Sequence, residues 1–144
     1  MYFVNREQIE QRLSFAAVAA EACREVERRW TDTSGDLLLQ LAQERALHLA
    51  IETVTDVGSL LIDAYILRDA SSYEDIVDIL RDERAADEAL ASLLLELVKL
   101  RKPLVQDYIS WPRAELHPLL PQLPEALERF ATGVRTFMER EALR

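Results

Sequence analysis

Apolar residues recur along this chain at steps of three, four and seven and almost never alternate, so the elements it predicts are helices rather than strands. Ile9, Leu13, Ala16, Ala20, Cys23 and Trp30 make one stripe of a long helix from about Asn5 to Trp30. Thr31-Asp32-Thr33-Ser34-Gly35 ends it with turn and cap chemistry. A second long helix is expected from about Asp36 to Leu67, apolar on most faces and therefore buried on more than one side. Arg68-Asp69-Ala70-Ser71-Ser72 breaks it, and Ser72 with Asp75 reads as a capping box for a short helix over Tyr73 to Glu83. The acids of that helix (Glu74, Asp75, Asp78, Asp82, Glu83) read as a solvated face. A fourth helix is expected from about Asp87 to Ile109, kinked by Pro103, whose ring clashes with the carbonyl of Lys99. Trp111-Pro112 stops it, and Pro118, Pro121 and Pro124 punctuate a connector. The last helix has Pro124 near its first turn and the stripe Leu127, Phe130, Val134 and Phe137.

Four long helices, a short fifth and short loops predict an all-α, up-and-down four/five-helix bundle, a single domain over residues 1–144. The broadly apolar second helix and the long fourth predict a homodimer, because a narrow bundle leaves some stripes uncovered.

Charge and composition remove several function classes. The net charge is −9, which opposes general binding to phosphate polymers but leaves room for a local basic patch. The glycines Gly35, Gly58 and Gly133 are far apart, so no phosphate loop or dinucleotide loop is built from them. Cys23 is alone and His48 and His117 are the only histidines, so no closed zinc site is expected and no metal or cofactor is assigned. The start, Met1-Tyr2-Phe3-Val4-Asn5-Arg6-Glu7, has no basic region ahead of an apolar run, and no apolar stretch approaches the roughly 20 residues a bilayer needs. A cytoplasmic protein with no membrane partner is expected.

The stretch Arg101-Lys102-Pro103-Leu104-Val105-Gln106-Asp107-Tyr108 stands apart. On an ideal helix Leu90, Leu94, Leu97, Val98, Leu104, Val105 and Tyr108 lie within about 60° of Arg101. Arg101 thus sits on an apolar stripe, where an unpaired guanidinium is costly. It pairs with an acid of a neighbouring helix, or it faces a groove as a phosphate-binding group, which suits its planar permanent charge. Lys99, Arg101, Lys102 and Arg113 against Asp107 alone give residues 99–113 a charge of +3 inside an acidic chain.

These residues resemble the signature of HepT-like proteins of the HEPN superfamily, which is Arg, four to six residues, His, any residue, Tyr. Here it reads Arg101, four residues, Gln106, Asp107, Tyr108. The opening Tyr2-Phe3-Val4-Asn5-Arg6-Glu7, the run Glu44 to Glu52 followed by Asp56-Val57-Gly58, and Ser72-Tyr73-Glu74-Asp75 are similar to the family as well. The resemblance implies a helical homodimer paired with an MntA-type nucleotidyltransferase antitoxin. It implies metal-independent RNA cleavage at a dimer cleft, where the Arg stabilises phosphorane charge and the His moves a proton. It also implies adenylylation of the motif Tyr. Arg101 takes the family's Arg position and Tyr108 its Tyr position, while Lys99, Lys102 and Arg113 are a candidate RNA-binding set.

Gln106 departs from that pattern, since an amide forms hydrogen bonds but exchanges no proton near neutral pH. Losing general acid–base catalysis costs about 10²–10⁴-fold. The expectation is a HepT-like toxin–antitoxin component with reduced or lost catalysis. The alternatives are an active endoribonuclease with an atypical site and a non-enzymatic helical dimerisation module. On an unkinked helix Arg101 and Gln106 are about 140° apart, so their convergence depends on distortion or a second subunit. His48, one turn from both Glu44 and Glu52, reads as a polar stripe or a weak metal site, and His117 as an exposed connector residue.

Overall fold

The computed structural model describes residues 5–30 and 36–144, and among them every regular element is helical. The turn expected at Thr31 to Gly35 and the family-like Tyr2-Phe3-Val4 lie outside the described residues. Helix α1 spans Arg6–Arg29, α2 Leu37–Tyr65, α3 Tyr73–Asp82, α4 Glu88–Lys99, α5 Arg101–Val105 and α6 Leu123–Ala142. Single 3-10 turns at Tyr108–Ser110 and Leu120–Gln122 lie between α5 and α6.

Local chemistry sets most of the starts. Asn5, Asp36, Ser72 and Asp87 each accept a hydrogen bond from the backbone N–H three residues on, at 2.8–3.3 Å. Such N-caps are each worth about 1 kcal/mol. At α3 the expected box is half present: Ser72 caps Asp75, but the Asp75 carboxylate turns back to the N–H and hydroxyl of Ser71 (2.9 and 3.1 Å) and to both terminal nitrogens of Arg68 (2.8 Å each). Ile66 closes α2 in the left-handed region (φ 51°), where the Leu67 N–H reaches the Ile62 carbonyl at 3.0 Å.

Helix α2 is the central element. It packs against α1, α3, α4, α5 and α6, so most of its apolar surface beyond the first turns is used within one chain. Ile9, Leu13, Leu47, Ile51, Leu61, Leu94, Leu97, Phe130 and Phe137 are fully buried around it. Each contributes about 1.5–3 kcal/mol relative to exposure. Two glycines mark the closest approaches: a Cβ at Gly58 would run into the Ile76 side chain of α3, and one at Gly133 into the backbone carbonyl of Ala85. Leu37, Leu38 and Leu41 at the start of α2 stay exposed.

The long fourth helix is a correction. Instead of one kinked helix to Ile109, α4 stops at Lys99, Leu100 turns, and α5 restarts at Arg101. Pro103 offers no N–H to the Lys99 carbonyl, and its ring pushes that carbonyl away. The Leu100 N–H donates to the Leu97 carbonyl at 3.0 Å instead, a tighter turn between the two helices. After α5 the N–H groups of Gln106 and Asp107 share the Lys102 carbonyl (2.8 and 3.2 Å), and a 3-10 turn replaces the last expected helical turn.

Candidate functional site

The break at Leu100 carries Arg101 across to α2. Arg101 Nε donates to Glu52 Oε1 at 3.3 Å, and its guanidinium lies 4.2 Å from the centre of the Tyr73 ring at the start of α3. The side chain keeps 28% of its surface exposed, which makes it neither a buried structural ion nor a free surface cation. A guanidinium has five N–H donors. Glu52 occupies Nε and Tyr73 one face, so the terminal nitrogens carry the unspent donors. The ion pair expected as one reading of Arg101 is present, and so is the solvent access that the phosphate-groove reading needs.

Glu44, His48 and Glu52 lie one turn apart on α2, and the two acids reach Arg113 and Arg101. Glu44 binds Arg113 through two hydrogen bonds, at 2.6 and 3.0 Å. Arg113 also donates to the Tyr108 carbonyl at 2.8 Å, so it holds the turn that presents Tyr108. The pairing with Glu44 raises the Arg113 pKa above its ordinary value. Glu52 Oε1 also lies 3.3 Å from His48 Nε2, and His48 Nδ1 lies 3.2 Å from Arg45 Nη1. Among the described residues no group of three or more His, Cys, Asp or Glu is placed to hold a metal, because Glu44 is turned to Arg113.

Lys99, Lys102, Gln106 and Tyr108 are exposed. The patch counted as +3 along the chain is reduced in space, since Glu52 and Glu44 of α2 answer Arg101 and Arg113. Lys99 and Lys102 remain as its solvent-facing charges. Tyr108 is 56% exposed and sits beside Val105 and Ile109, an apolar tip on the surface.

His117 departs from the exposed connector position expected for it. It is half-buried, stacked on the buried Trp111 ring with centroids 5.8 Å apart. Its Nδ1 accepts the Leu119 N–H at 3.0 Å, and its backbone N–H donates to the buried Gln43 side chain at 2.7 Å. Burial pushes its pKa below the ordinary value, against a smaller opposing pull from Glu96. His117 therefore anchors the connector.

Sequence reasoning missed three participants: Glu52 as the partner of Arg101, Tyr73 as its stacking surface, and Arg45 beside His48. Glu52 left the clearest trace, as one of two acids flanking His48 by a helical turn, while Tyr73 and Arg45 appeared only inside the family-like runs.

Residues 16–132 match the family model for HepT-like ribonucleases. The chain is 38% identical over 141 residues to YutE of Bacillus subtilis, a candidate RNase, covering 98% of this chain and 94% of that one. This chain belongs to the HepT-like ribonuclease family. The HepT-like fold is matched closely by the solved structure of Bacillus subtilis YutE, described as a cytosolic protein of unknown function, with a TM-score of 0.85 and 35% identity over 98% of this chain and 95% of that one. The HepT-like bundle also matches the HEPN toxin of Shewanella oneidensis, described as tri-AMPylated and in complex with an MNT antitoxin. That match has a TM-score of 0.64 at 18% identity, over 94% of this chain and 97% of the other, and is a likeness of fold. Among the described residues no helix is long and apolar enough to cross a membrane.

Proposed function

We propose that this HepT-like chain is the RNA-facing subunit of a cytoplasmic toxin–antitoxin pair, acting as a homodimer whose metal-independent cleavage of RNA is slowed by Gln106. Its partner is an MntA-type nucleotidyltransferase, and Tyr108 is the residue that partner adenylylates. The observation that carries the reading is the state of Arg101: oriented by Glu52 and Tyr73, yet part-exposed with donors to spare for a phosphate. Lys99 and Lys102 extend the positive edge along the same segment. Arg113 contributes by holding the Tyr108 turn. The exposure of Tyr108 suits an acceptor that another enzyme must reach, and the AMPylated state described for the Shewanella toxin supports that use of the fold.

Two measurements test this. Purified protein is incubated with RNA in EDTA beside the Gln106→His variant. The variant should cleave about 10²–10⁴-fold faster, and equal rates would sink the claim that Gln106 slows the site. The protein is also co-expressed with an MntA-type nucleotidyltransferase and its intact mass measured. An adenylyl increment mapped to Tyr108 is expected, and its absence or its placement elsewhere counts against Tyr108 as acceptor.

A further inference from the structure

Gln106 leaves the motif without a group that moves protons, but the site does contain an imidazole. We propose that His48 of α2 supplies the proton transfer that position 106 has lost and sustains the slowed RNA cleavage. This rests on the reading of Arg101 as the phosphate-binding group.

The hydrogen bonds fix the state of the ring. Arg45 is only a donor, so at 3.2 Å from Nδ1 it requires that nitrogen to be the acceptor. Nε2 then carries the hydrogen, and Glu52 Oε1 lies 3.3 Å from it. A carboxylate beside one ring nitrogen favours the imidazolium that forms when the other nitrogen, with its lone pair, takes a proton. The same oxygen of Glu52 takes Arg101 Nε at 3.3 Å. One carboxylate thus lies against both the base and the phosphate-binding group, which come from two different helices.

Arg45 marks the outward direction of the lone pair. It is exposed, and a phosphodiester seated between Arg45 and Arg101 offers its guanidinium a stronger, charge-assisted partner than a neutral imidazole. The exchange frees Nδ1 beside the bound phosphate. The ribose 2′-oxygen then attacks the adjacent phosphorus, and its proton passes to Nδ1. The bond from phosphorus to the 5′-oxygen breaks, and that oxygen takes a proton from water. Protonated His48 returns its proton to the hydroxide so formed. The products are a 2′,3′-cyclic phosphate and a 5′-hydroxyl end, with no metal and no net consumption of water.

The test uses the full chain and an RNA oligonucleotide in EDTA, with enzyme in excess. His48→Gln and His48→Ala should lower the cleavage rate about 10²–10⁴-fold while RNA binding, read by fluorescence anisotropy, stays near that of the parent. Added imidazole should restore cleavage by His48→Ala and leave His48→Gln unchanged, which a merely structural role for His48 would not produce. Placing Gln106→His in the His48→Gln background should also restore cleavage. A His48→Gln protein that cleaves as fast as the parent overturns the proposal. So does a parent with no cleavage when Gln106→His alone cleaves, and that result leaves the Arg101 reading standing. If neither the parent nor Gln106→His cleaves or binds RNA, the functional reading falls and this inference with it.

Discussion

Two arginine–carboxylate corners of this molecule use the same chemistry to different ends. At the start of α3, Arg68 grips Asp75 with two hydrogen bonds of 2.8 Å, and Ser71 fills the rest of the carboxylate. Between α2 and α5, Arg101 makes one longer bond to Glu52, an oxygen it shares with His48. In the first corner the carboxylate is filled, and it holds a turn. The second is oriented but under-committed, with donors left over and partial access to solvent. Bidentate pairing adds geometric definition as well as energy. Its absence at Arg101 leaves donors for the phosphate proposed above.

The sharpest way to break this contrast is Arg101→Ala. It should lower RNA cleavage about 10²–10³-fold, as expected for removing a group that stabilises developing charge, while the thermal midpoint barely moves. Arg101→Lys should not restore the rate, since an ammonium lacks the planar fork. A large loss of stability with either variant would make this corner structural after all. Asp75→Asn should do the reverse, lowering the thermal midpoint by a few degrees and leaving RNA cleavage alone. The Arg68 bonds, followed by those of Ser71, hold the Asp75 carboxyl well below its ordinary value of 3.8. Its stabilisation is therefore whole above that value and is lost as pH falls below it. Thermal midpoints of parent and Asp75→Asn should converge through that acid range.

Arg113 lies between the two extremes, because it is bidentate to Glu44 yet also carries the Tyr108 carbonyl. Arg113→Ala should speed hydrogen exchange over residues 106–113 while the core amides keep their protection. Uniform acceleration across the chain would show a global role instead. The smallest effect belongs to His117. Its pKa is lowered on folding, so its contribution is present above the ordinary value of 6.5 and declines as pH falls below it. His117→Gln should flatten the dependence of the thermal midpoint on pH between 7 and 5, and an unchanged slope would remove His117 from the account.

Much of the bundle was legible because its determinants are local. Asp36, Ser72 and Asp87 cap within three residues of themselves, and the stripes of α1 and α6 repeat with the period of the helix. The fourth helix was read one step short. Pro103 was located, but whether a lost hydrogen bond bends or breaks a helix depends on what the next segment packs against, and here α2 draws Arg101 across. The site was half legible. Arg101 stood out because a guanidinium on an apolar stripe needs a partner, and Gln106 and Tyr108 because they can be compared with a motif. The partner itself was not, since Glu52 is one of 26 acidic residues and lies 49 positions away. Nothing in the sequence marks Tyr73 as a surface for a cation. Even the burial of His117 depends on Gln43, a residue whose amide gave no reason to expect a fully buried position.

The oxygen of Glu52 that serves both His48 and Arg101 has a consequence for how this protein can change. Residues that crowd one carboxylate oxygen do not contribute independently. Removing either one leaves the other with a carboxylate free to tighten around it, so the loss from a double substitution should differ from the sum of the two singles. A drift at position 52 alters both neighbours at once. Along this ladder of side chains a substitution at one position should change the effect of substitutions at the other two.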